Sequence, residues 1–312
     1  MNREVLIDRL RSLISEPIPL PGGGETARRH EILMSVGRED LSLARLAEAH
    51  WDAVAILAEA GRDPEPGAIY GVWAAEVPGE PLLLGTYQEN LTITGQKTFC
   101  SGAGLIDRAL ITVGATDRRL VNLDLRDAGA TIQFDNSGWK TTAFAETRTS
   151  TTTFSSARCF EGDIIGGPGW YLERPGFWNG ACGPAACWAG GAEGIVDYAN
   201  KQRRADAHTL AHLGAMRASI WALRSFLVTA ANEIDRDPSS IINARVRART
   251  VRHLIEQGCT DILRRLARAY GPHPMSAEEE IGRRYQELDL YLRQSHAERD
   301  LEALGRDIKA GF

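Results

Sequence analysis

The sequence of 312 residues has no long apolar run and little net charge. No stretch is long and apolar enough to span a bilayer, and residues 1–14 alternate charged with apolar positions, unlike a signal peptide. The formal net charge of -5 gives no strong field that would attract nucleic acid or an anionic membrane. We therefore expect a cytoplasmic protein that binds neither, and whose ligand is a small molecule.

Disulfide and metal-ligand patterns are also missing. The five cysteines are scattered and form no Cys-x-x-Cys pair, which is typical of reduced thiols rather than of a disulfide framework. His208 and His212 stand four residues apart, but no third ligand accompanies them. We expect no metal site.

The periodicity of apolar residues divides the chain into three segments. Helical spacing in residues 1–67 predicts an N-terminal helical segment, and short runs separated by turn residues in 68–166 predict a central β domain. The helical period returns in 167–312 with four long patterns, which predict a bundle. The fold class is thus α+β and multidomain, with N-terminal helices, a central β-barrel or sandwich and a C-terminal four-helix bundle. The strand-like runs lie at 68–75, 82–85, 90–93, 110–113, 119–125, 131–134 and 151–154.

Local signals refine the helical bundle. Asp237-Pro-Ser-Ser240 offers an N-cap to the third pattern, and Ser276-Ala-Glu-Glu279 offers a capping box to the fourth, which extends to about Gly305. Glycines in the first pattern, Gly190 and Gly191 among them, would let a neighbouring element approach closely. The tryptophans of this segment are expected in the core or at helix contacts: Trp178, Trp188 and Trp221.

Several motifs occur in an order that resembles a known family. They are the run Gly95-Gln-Lys-Thr-Phe-Cys-Ser-Gly-Ala103, then Gly138-Trp139 followed by Thr147 to Phe154, and the terminal helices. Together they resemble the acyl-CoA dehydrogenase family of flavoproteins over nearly the whole chain, with a shorter N-terminal segment. The resemblance implies FAD as the cofactor and α,β-dehydrogenation of an acyl thioester or related acyl substrate, acyl-CoA being one candidate.

For the flavin ring, the resemblance implies contacts from Phe99 and Ser101. In the family an aromatic residue and, two positions later, a hydroxyl residue face the flavin. Alternate side chains of a regular strand share a face, so the Phe99 ring would pack on the flavin while the Ser101 hydroxyl bonds its edge. On the strand pattern alone, Phe99 would instead be core and Ser101 would begin a turn.

A second flavin contact in the family is a Thr-Glu-Pro-like run, which this chain keeps only in part. The segment Trp73-Ala-Ala-Glu-Val-Pro-Gly79 separates Glu76 from Pro78 and has Ala74 or Ala75 at the position of the hydroxyl. A strand that ends at a Pro-Gly turn explains the segment equally well.

Phosphate and adenine contacts would come from the helical segment. Arg203 and Arg204 lie close to the family position of an arginine that reaches the flavin pyrophosphate across a subunit interface, and an arginine fork suits phosphate oxygens. The same cluster could instead complement the end of a helix. Gly271 is the one glycine remaining in the turn that approaches the adenine.

The catalytic base is the largest departure from the family. Most members carry a late glutamate, whereas this chain has Arg293 or Gln294 at the matching position. Some members carry the base at the start of the first bundle helix, just before an arginine, which makes Glu173 the first candidate: it would take the α proton while the β hydride passes to FAD. The helix dipole would favour an acidic residue there in any case.

His296 is the second catalytic candidate. A C-terminal histidine assists oxygen chemistry in the monooxygenase branch of the same fold. On one helix, His296 and Glu298 would face different directions and could not line one site. A solvated helical face is the simpler interpretation of this stretch.

Three functions follow, in order of preference. The first is the FAD-dependent dehydrogenase, the second a flavin-dependent monooxygenase, and the third a degenerate scaffold without catalysis. The resemblance implies a homodimer or homotetramer, because the family builds its cofactor site partly from a second subunit. The other partners would be an acyl substrate and either an electron-transfer acceptor or oxygen.

Overall fold

The computed structural model describes residues 3–76, 80–87, 90–126 and 129–311. Helices come before and after a middle region of strands. The first helices are α1 (Arg3–Ile14), α2 (Thr26–Glu39) and α3 (Leu41–Glu59). The strands are β1 (Tyr70–Trp73), β2 (Leu83–Tyr87), β3 (Asn90–Cys100), β4 (Arg108–Val113), β5 (Arg119–Asp124), β6 (Ile132–Asp135), β7 (Ser150–Cys159) and β8 (Ile164–Ile165).

The later helices differ in length. Short helices α4 (Trp170–Glu173) and α5 (Pro175–Gly180) precede the long α6 (Cys182–Lys201), α7 (Ala207–Arg236) and α8 (Ile241–Tyr270). The chain continues through α9 (His273–Ala277), α10 (Glu279–Leu292) and α11 (Glu298–Lys309). The mixed helix and sheet composition confirms the predicted fold class.

The chain divides into two compact units. The sheet unit comprises Met1–Pro17 and Leu46–Phe177, and the helical unit comprises Ile18–Arg45 and Trp178–Phe312. The units cut across the sequence segments because α2 packs with the C-terminal helices, whereas α1 and most of α3 belong with the strands. The division at residues 67 and 166 stays a prediction.

Within the described residues, the strands of the sheet unit form two four-stranded sheets. The orders are β1-β4-β5-β8 and β2-β3-β7-β6, and β1 pairs with β4 in parallel while the other pairs are antiparallel. Apolar side chains of α3 cover the first sheet, and each such burial stabilises the fold by roughly 1.5–3 kcal/mol. This core contains Ala53, Ile56, Leu57, Tyr70, Leu110, Leu120 and Ile165.

In the helical unit, α2 and α6 approach each other through glycine. A Cβ at Gly190 would lie 2.8 Å from the Arg38 backbone nitrogen and closer still to the Met34 carbonyl oxygen. A Cβ at Gly191 would lie 2.7 Å from Cδ2 of Leu41. The close approach predicted for these glycines is confirmed.

Two predicted helices are broken. The first predicted pattern of the bundle, from after Pro168 to about Arg204, divides into α4, α5 and α6. The fourth breaks between Leu292 and Glu298, where Ala297 has a φ of 46° that L residues rarely adopt. The N-cap at Ser240 is confirmed, since its hydroxyl accepts from the Asn243 backbone. The capping box at Ser276 is wrong, because that hydroxyl donates to the Pro272 carbonyl within the preceding helix.

The tryptophans do not share one environment. Trp188 is fully buried, as expected, but Trp221 is 74% exposed on α7, so its assignment to a core or contact position is wrong. Across the described ranges, no helix combines the length and apolar character needed to cross a bilayer.

Candidate functional site

Phe99 lies at an irregular end of β3. The pairing of β3 with β7 shifts register between Lys97 and Cys100, and Phe99 has a φ of 59°. Regular alternation therefore does not hold here, and the strand geometry from which a shared face for Phe99 and Ser101 was predicted is absent. The alternative of a core Phe99 is wrong, because the residue is 62% exposed. The sheet unit thus presents an uncovered aromatic ring held in a strained backbone conformation.

Backbone hydrogen bonds fix Ser101 directly after this strand. The Trp73 indole nitrogen donates to the Ser101 carbonyl over 2.9 Å. The next residue, Gly102, donates its N–H to the Thr147 carbonyl over 2.7 Å. Ser101 therefore has a defined position although it lies outside regular structure.

The Ser101 side chain begins a row of hydroxyl groups. Its Oγ lies 3.0 Å from the Thr149 Oγ1, which lies 3.4 Å from the Thr147 Oγ1. Thr147 in turn donates to the Phe144 carbonyl over 2.8 Å. Sequence reasoning did not assign Thr147 and Thr149, although both begin or lie in the stretch that carried the family resemblance.

The partial Thr-Glu-Pro-like run is anchored by a buried lysine. Lys97 is 4% exposed, and its Nζ lies 3.1 Å from the Glu76 Oε1 and 3.0 Å from the Thr112 Oγ1. Burial lowers the pKa of Lys97, and the Glu76 carboxylate opposes this shift. The carboxylate of Glu76 is thus engaged within the protein. Pro78, the other member of the run, lies outside the described residues.

The end of β3 presents an exposed aromatic ring and, two residues later, a hydroxyl group. The exposed face of Phe99 can pack against a planar ring, since offset stacking of aromatic groups is favourable. The Ser101 hydroxyl lies two residues further on and can donate or accept a hydrogen bond. The family resemblance implies these two groups as flavin contacts, and that role stays a prediction.

Glu173 is exposed at the end of the four-residue helix α4. The helix belongs to the sheet unit, so Glu173 does not begin a long bundle helix as expected. The adjacent Arg174 is 5% exposed and forms an ion pair with Glu59, which also accepts from the Gly176 backbone over 3.1 Å. Among the residues that the structure describes, none buries the Glu173 side chain, which is exposed.

His296 lies in the break between α10 and α11, not on a helix with Glu298. Its backbone N–H donates to the Asp300 Oδ2 over 3.2 Å, and its Nδ1 lies 3.5 Å from the Asp300 Oδ1. Arg252 holds the same break by donating to the Gln294 carbonyl over 2.8 Å. The stretch was expected to be a solvated helical face, but it is a turn in which His296 pairs with Asp300. The imidazole of His296 is 55% exposed.

Arg203 and Arg204 follow the end of α6. The Arg204 guanidinium donates to Asp206 over 2.7 Å and holds the pKa of that carboxyl below its usual range. Burial raises the pKa of Tyr270, on which the charges of Arg204 and Asp206 also act. Gly271 follows with a φ of 68° and open space around the position of a Cβ. The structure therefore brings Arg204 and Gly271 to one end of the helical unit.

The helix α6 separates this end from the His296 turn. Arg252, which holds the turn through Gln294, also donates to the Ala181 carbonyl just before α6 over 2.9 Å. The helix has 20 residues, so its ends lie about 30 Å apart. A single flavin ring cannot contact both groups.

Solved structures share this architecture at low sequence identity. FMN-bound TdsC, a dibenzothiophene monooxygenase from Paenibacillus sp. A11-2, matches with a TM-score of 0.76 and 16% identity over 91% of this chain and 83% of that chain. Butyryl-CoA dehydrogenase from Megasphaera elsdenii matches with a TM-score of 0.76 and 15% identity over 92% of this chain and 82% of that chain. The chain has the acyl-CoA dehydrogenase fold.

A third structure of the acyl-CoA dehydrogenase fold covers almost the whole chain. KijD3, in complex with FMN and dTDP-3-amino-2,3,6-trideoxy-4-keto-3-methyl-D-glucose, matches with a TM-score of 0.77 and 13% identity over 99% of this chain and 92% of that chain. No model of a known protein family and no curated protein sequence matches the chain. Identities this low establish the fold and leave the chemistry to the residues themselves.

On this acyl-CoA dehydrogenase fold, the candidate residues fall into separate groups. Phe99, Ser101 and Glu173 belong to the sheet unit, whereas His296 and the arginines belong to the helical unit. Their roles stay predictions. Across the described residues, no three His, Cys, Asp or Glu side chains come together as a possible metal site.

Proposed function

We propose that the protein is a flavin-dependent monooxygenase that acts on a small organic substrate. The observation that carries this proposal is the His296–Asp300 pair, fixed in a turn where the family resemblance leads us to expect a carboxylate and the chain has Arg293 and Gln294. The similarity to TdsC supports it. We therefore rank the monooxygenase above the dehydrogenase, which is the reverse of the order proposed from the sequence.

We propose FMN as the flavin. TdsC and KijD3 were each solved with FMN, and Gly271 alone remains of the glycine-rich turn expected for an adenine. Phe99 would pack against the ring and Ser101 would bond its edge. When bound in reduced form, the flavin would supply the electrons and the reaction with oxygen.

The role that we propose for His296 is proton transfer. Its Nδ1 faces Asp300, and no described residue engages Nε2, so the pair leaves Nε2 available to give a proton to, or take one from, a reacting group. The Asp300 carboxylate beside Nδ1 fixes the orientation of the ring. Asp300 is therefore the positioning residue for His296.

Acyl dehydrogenation is the second candidate, which the similarity to butyryl-CoA dehydrogenase favours. It requires a carboxylate shielded from water, so that its pKa can rise towards working pH. Glu173 is exposed on a four-residue helix, and that is the reason for ranking this function second. The homo-oligomer implied by the resemblance remains part of either proposal.

The test compares the reaction of bound reduced FMN with oxygen in the wild type and in His296→Ala, by stopped-flow absorbance. We expect the substitution to change the reoxidation rate about 100-fold, as for loss of a general acid or base. His273→Ala is the matched control, because His273 is also exposed and pairs with a carboxylate, that of Glu278.

Two outcomes would count against the proposal. Equal reoxidation rates in the wild type and His296→Ala, with flavin bound to both, would remove His296 from the reaction. Bleaching of bound oxidised flavin by butyryl-CoA without oxygen, abolished by Glu173→Gln, would establish dehydrogenation instead. If the purified protein binds no flavin, the third function, a scaffold without catalysis, would replace both enzyme proposals.

A further inference from the structure

Arg148 carries a guanidinium group with which no described residue pairs. Its Nε atom is buried and has no hydrogen-bond acceptor, although the residue as a whole is only partly buried. The nearest acidic residue in the sequence, Glu146, instead forms an ion pair with Arg3 over 3.6 Å. A buried donor without an acceptor costs free energy, which a bound acceptor would recover. The unpaired cation therefore indicates a place for an anionic ligand.

The backbone holds this arginine in a strained conformation. Arg148 has a φ of 47° and a ψ of 57°, in the left-handed region that L residues rarely adopt. Its carbonyl accepts from the Ala103 N–H over 3.3 Å, which ties the residue to the turn that follows Ser101. Strained residues persist only where the surrounding structure fixes them, and they cluster at functional sites.

The guanidinium lies beside the same turn. The Arg148 Cζ would be 4.0 Å from a Cβ at Gly104, and the Phe134 Cδ2 would be 3.7 Å from it. Both are ordinary contact distances, so the cation and the aromatic ring flank this glycine together.

Further contacts connect the cation with the expected flavin contacts. The Phe134 ring packs edge-on against Trp73, with centroids 6.4 Å apart, and the Trp73 indole donates to the Ser101 carbonyl over 2.9 Å. Thr149, which follows Arg148 in the sequence, has its Oγ1 3.0 Å from the Ser101 Oγ. Two short series of contacts thus join Arg148 to Ser101 within the sheet unit.

We propose that Arg148 binds the phosphate group of FMN. The proposal rests on the flavin binding proposed above, with the ring at Phe99 and Ser101. FMN carries its phosphate at the end of the ribityl chain, and that group is mostly a dianion at neutral pH. An arginine fork donates two parallel hydrogen bonds to phosphate oxygens, so an unpaired guanidinium near the ring contacts has the chemistry that the phosphate requires.

The arginine pair that the family resemblance implies for phosphate is less suited. Arg204 already donates to Asp206 over 2.7 Å, and its side chain is 59% exposed. Binding of a phosphate there would compete with an existing ion pair. Arg148 has no such pair to give up, and its buried Nε gains a partner.

The test compares FMN with riboflavin, which has the same ring and ribityl chain but no phosphate. Fluorescence titrations of both flavins would be made into the wild type and into Arg148→Met, which keeps the length of the side chain and removes its charge. We expect the Kd for FMN to rise roughly 10- to 100-fold, the effect of losing hydrogen bonds to a charged group, and the Kd for riboflavin to stay the same.

Two further variants separate this effect from a general one. Arg158→Met removes an exposed guanidinium from β7, where Arg158 lies over the Phe160 ring at 4.9 Å, and should leave both affinities unchanged. Arg148→Lys should recover part of the affinity for FMN, because lysine keeps the charge but not the fork. Arg148→Gly, which adopts a positive φ without strain, carries the same comparison if Arg148→Met does not fold.

The outcomes of the two proposals are distinguishable. A wild type that binds FMN, with an unchanged Kd for FMN in Arg148→Met, overturns the role of Arg148 and leaves flavin binding intact. That result is also the one expected if Arg148 binds an anionic group of the substrate instead. Equal weakening of FMN and riboflavin overturns the phosphate contact as well. A wild type that binds neither flavin overturns the proposed function itself.

Discussion

Substitution of Gly190 by alanine should separate two helices that carry the helical unit. The added Cβ would lie 2.8 Å from the Arg38 backbone nitrogen, 0.6 Å short of the 3.4 Å at which ordinary contact begins, and would overlap the Met34 carbonyl still more. Neither group can rotate away, because both belong to the backbone of α2. The helices α2 and α6 must therefore move apart along their contact.

The change in the free energy of unfolding of Gly190→Ala results from two opposing effects. Alanine is a better helix former than glycine by about 1 kcal/mol. Overpacking typically costs 1–3 kcal/mol, and a clash with backbone lies at or above the upper end of that range. We expect a net loss of about 2 kcal/mol or more, which corresponds to a fall of roughly 5 °C in Tm.

The assay is thermal unfolding followed by circular dichroism, with Gly214→Ala as the matched control. Gly214 lies in α7 with no atom within 4 Å of the position of a Cβ. This substitution should therefore raise stability by up to about 1 kcal/mol. An unchanged or higher Tm for Gly190→Ala would refute the close approach of α2 and α6.

Three further predictions concern titration, thiol reactivity and the last helix. Burial lowers the pKa of His30 and of His50 to about 4, so the unfolded chain binds more protons than the folded chain between about pH 6.5 and pH 4. The free energy of unfolding should therefore fall as the pH is lowered across that window, by up to roughly 3 kcal/mol per histidine. Urea titrations that give the same stability at pH 7 and pH 5 would contradict this. All five cysteines are buried, and burial raises the pKa of Cys100 to about 11, so Ellman's reagent should modify none of them until denaturant is added. Asp307→Asn removes the carboxylate that holds α11 through two arginines of α8, and hydrogen exchange in α11 should accelerate roughly 10- to 100-fold while α10 is unchanged.

The order of helices and strands could be predicted because apolar periodicity reports which face of an element is buried. The signal fails where backbone conformation overrides it. The run at 90–93 predicted only the start of β3, which continues to Cys100 through two register shifts. Likewise, the fourth bundle pattern keeps its helical spacing across a break that the conformation of Ala297 imposes. Periodicity does not encode such turns.

The candidate site was predictable in part. The family resemblance selected Phe99 and Ser101, but the positive φ of Phe99 could not be inferred, since phenylalanine rarely adopts it. The pairing of His296 with Asp300 depends on the helix break and was therefore missed. Thr149 contacts Ser101 across 48 residues of sequence, a relation that only the folded chain reveals.

Binding of a flavin at Phe99 is best tested by fluorescence titration of FMN into the purified wild type, Phe99→Ala and Phe160→Ala. The two phenylalanines are similarly exposed on the sheet unit, at 62% and 57%. We expect the wild type and Phe160→Ala to bind FMN equally, and Phe99→Ala to bind FMN about ten-fold more weakly because a ring contact is lost. Equal affinities for all three proteins, or no binding of FMN by the wild type, would contradict flavin binding at Phe99.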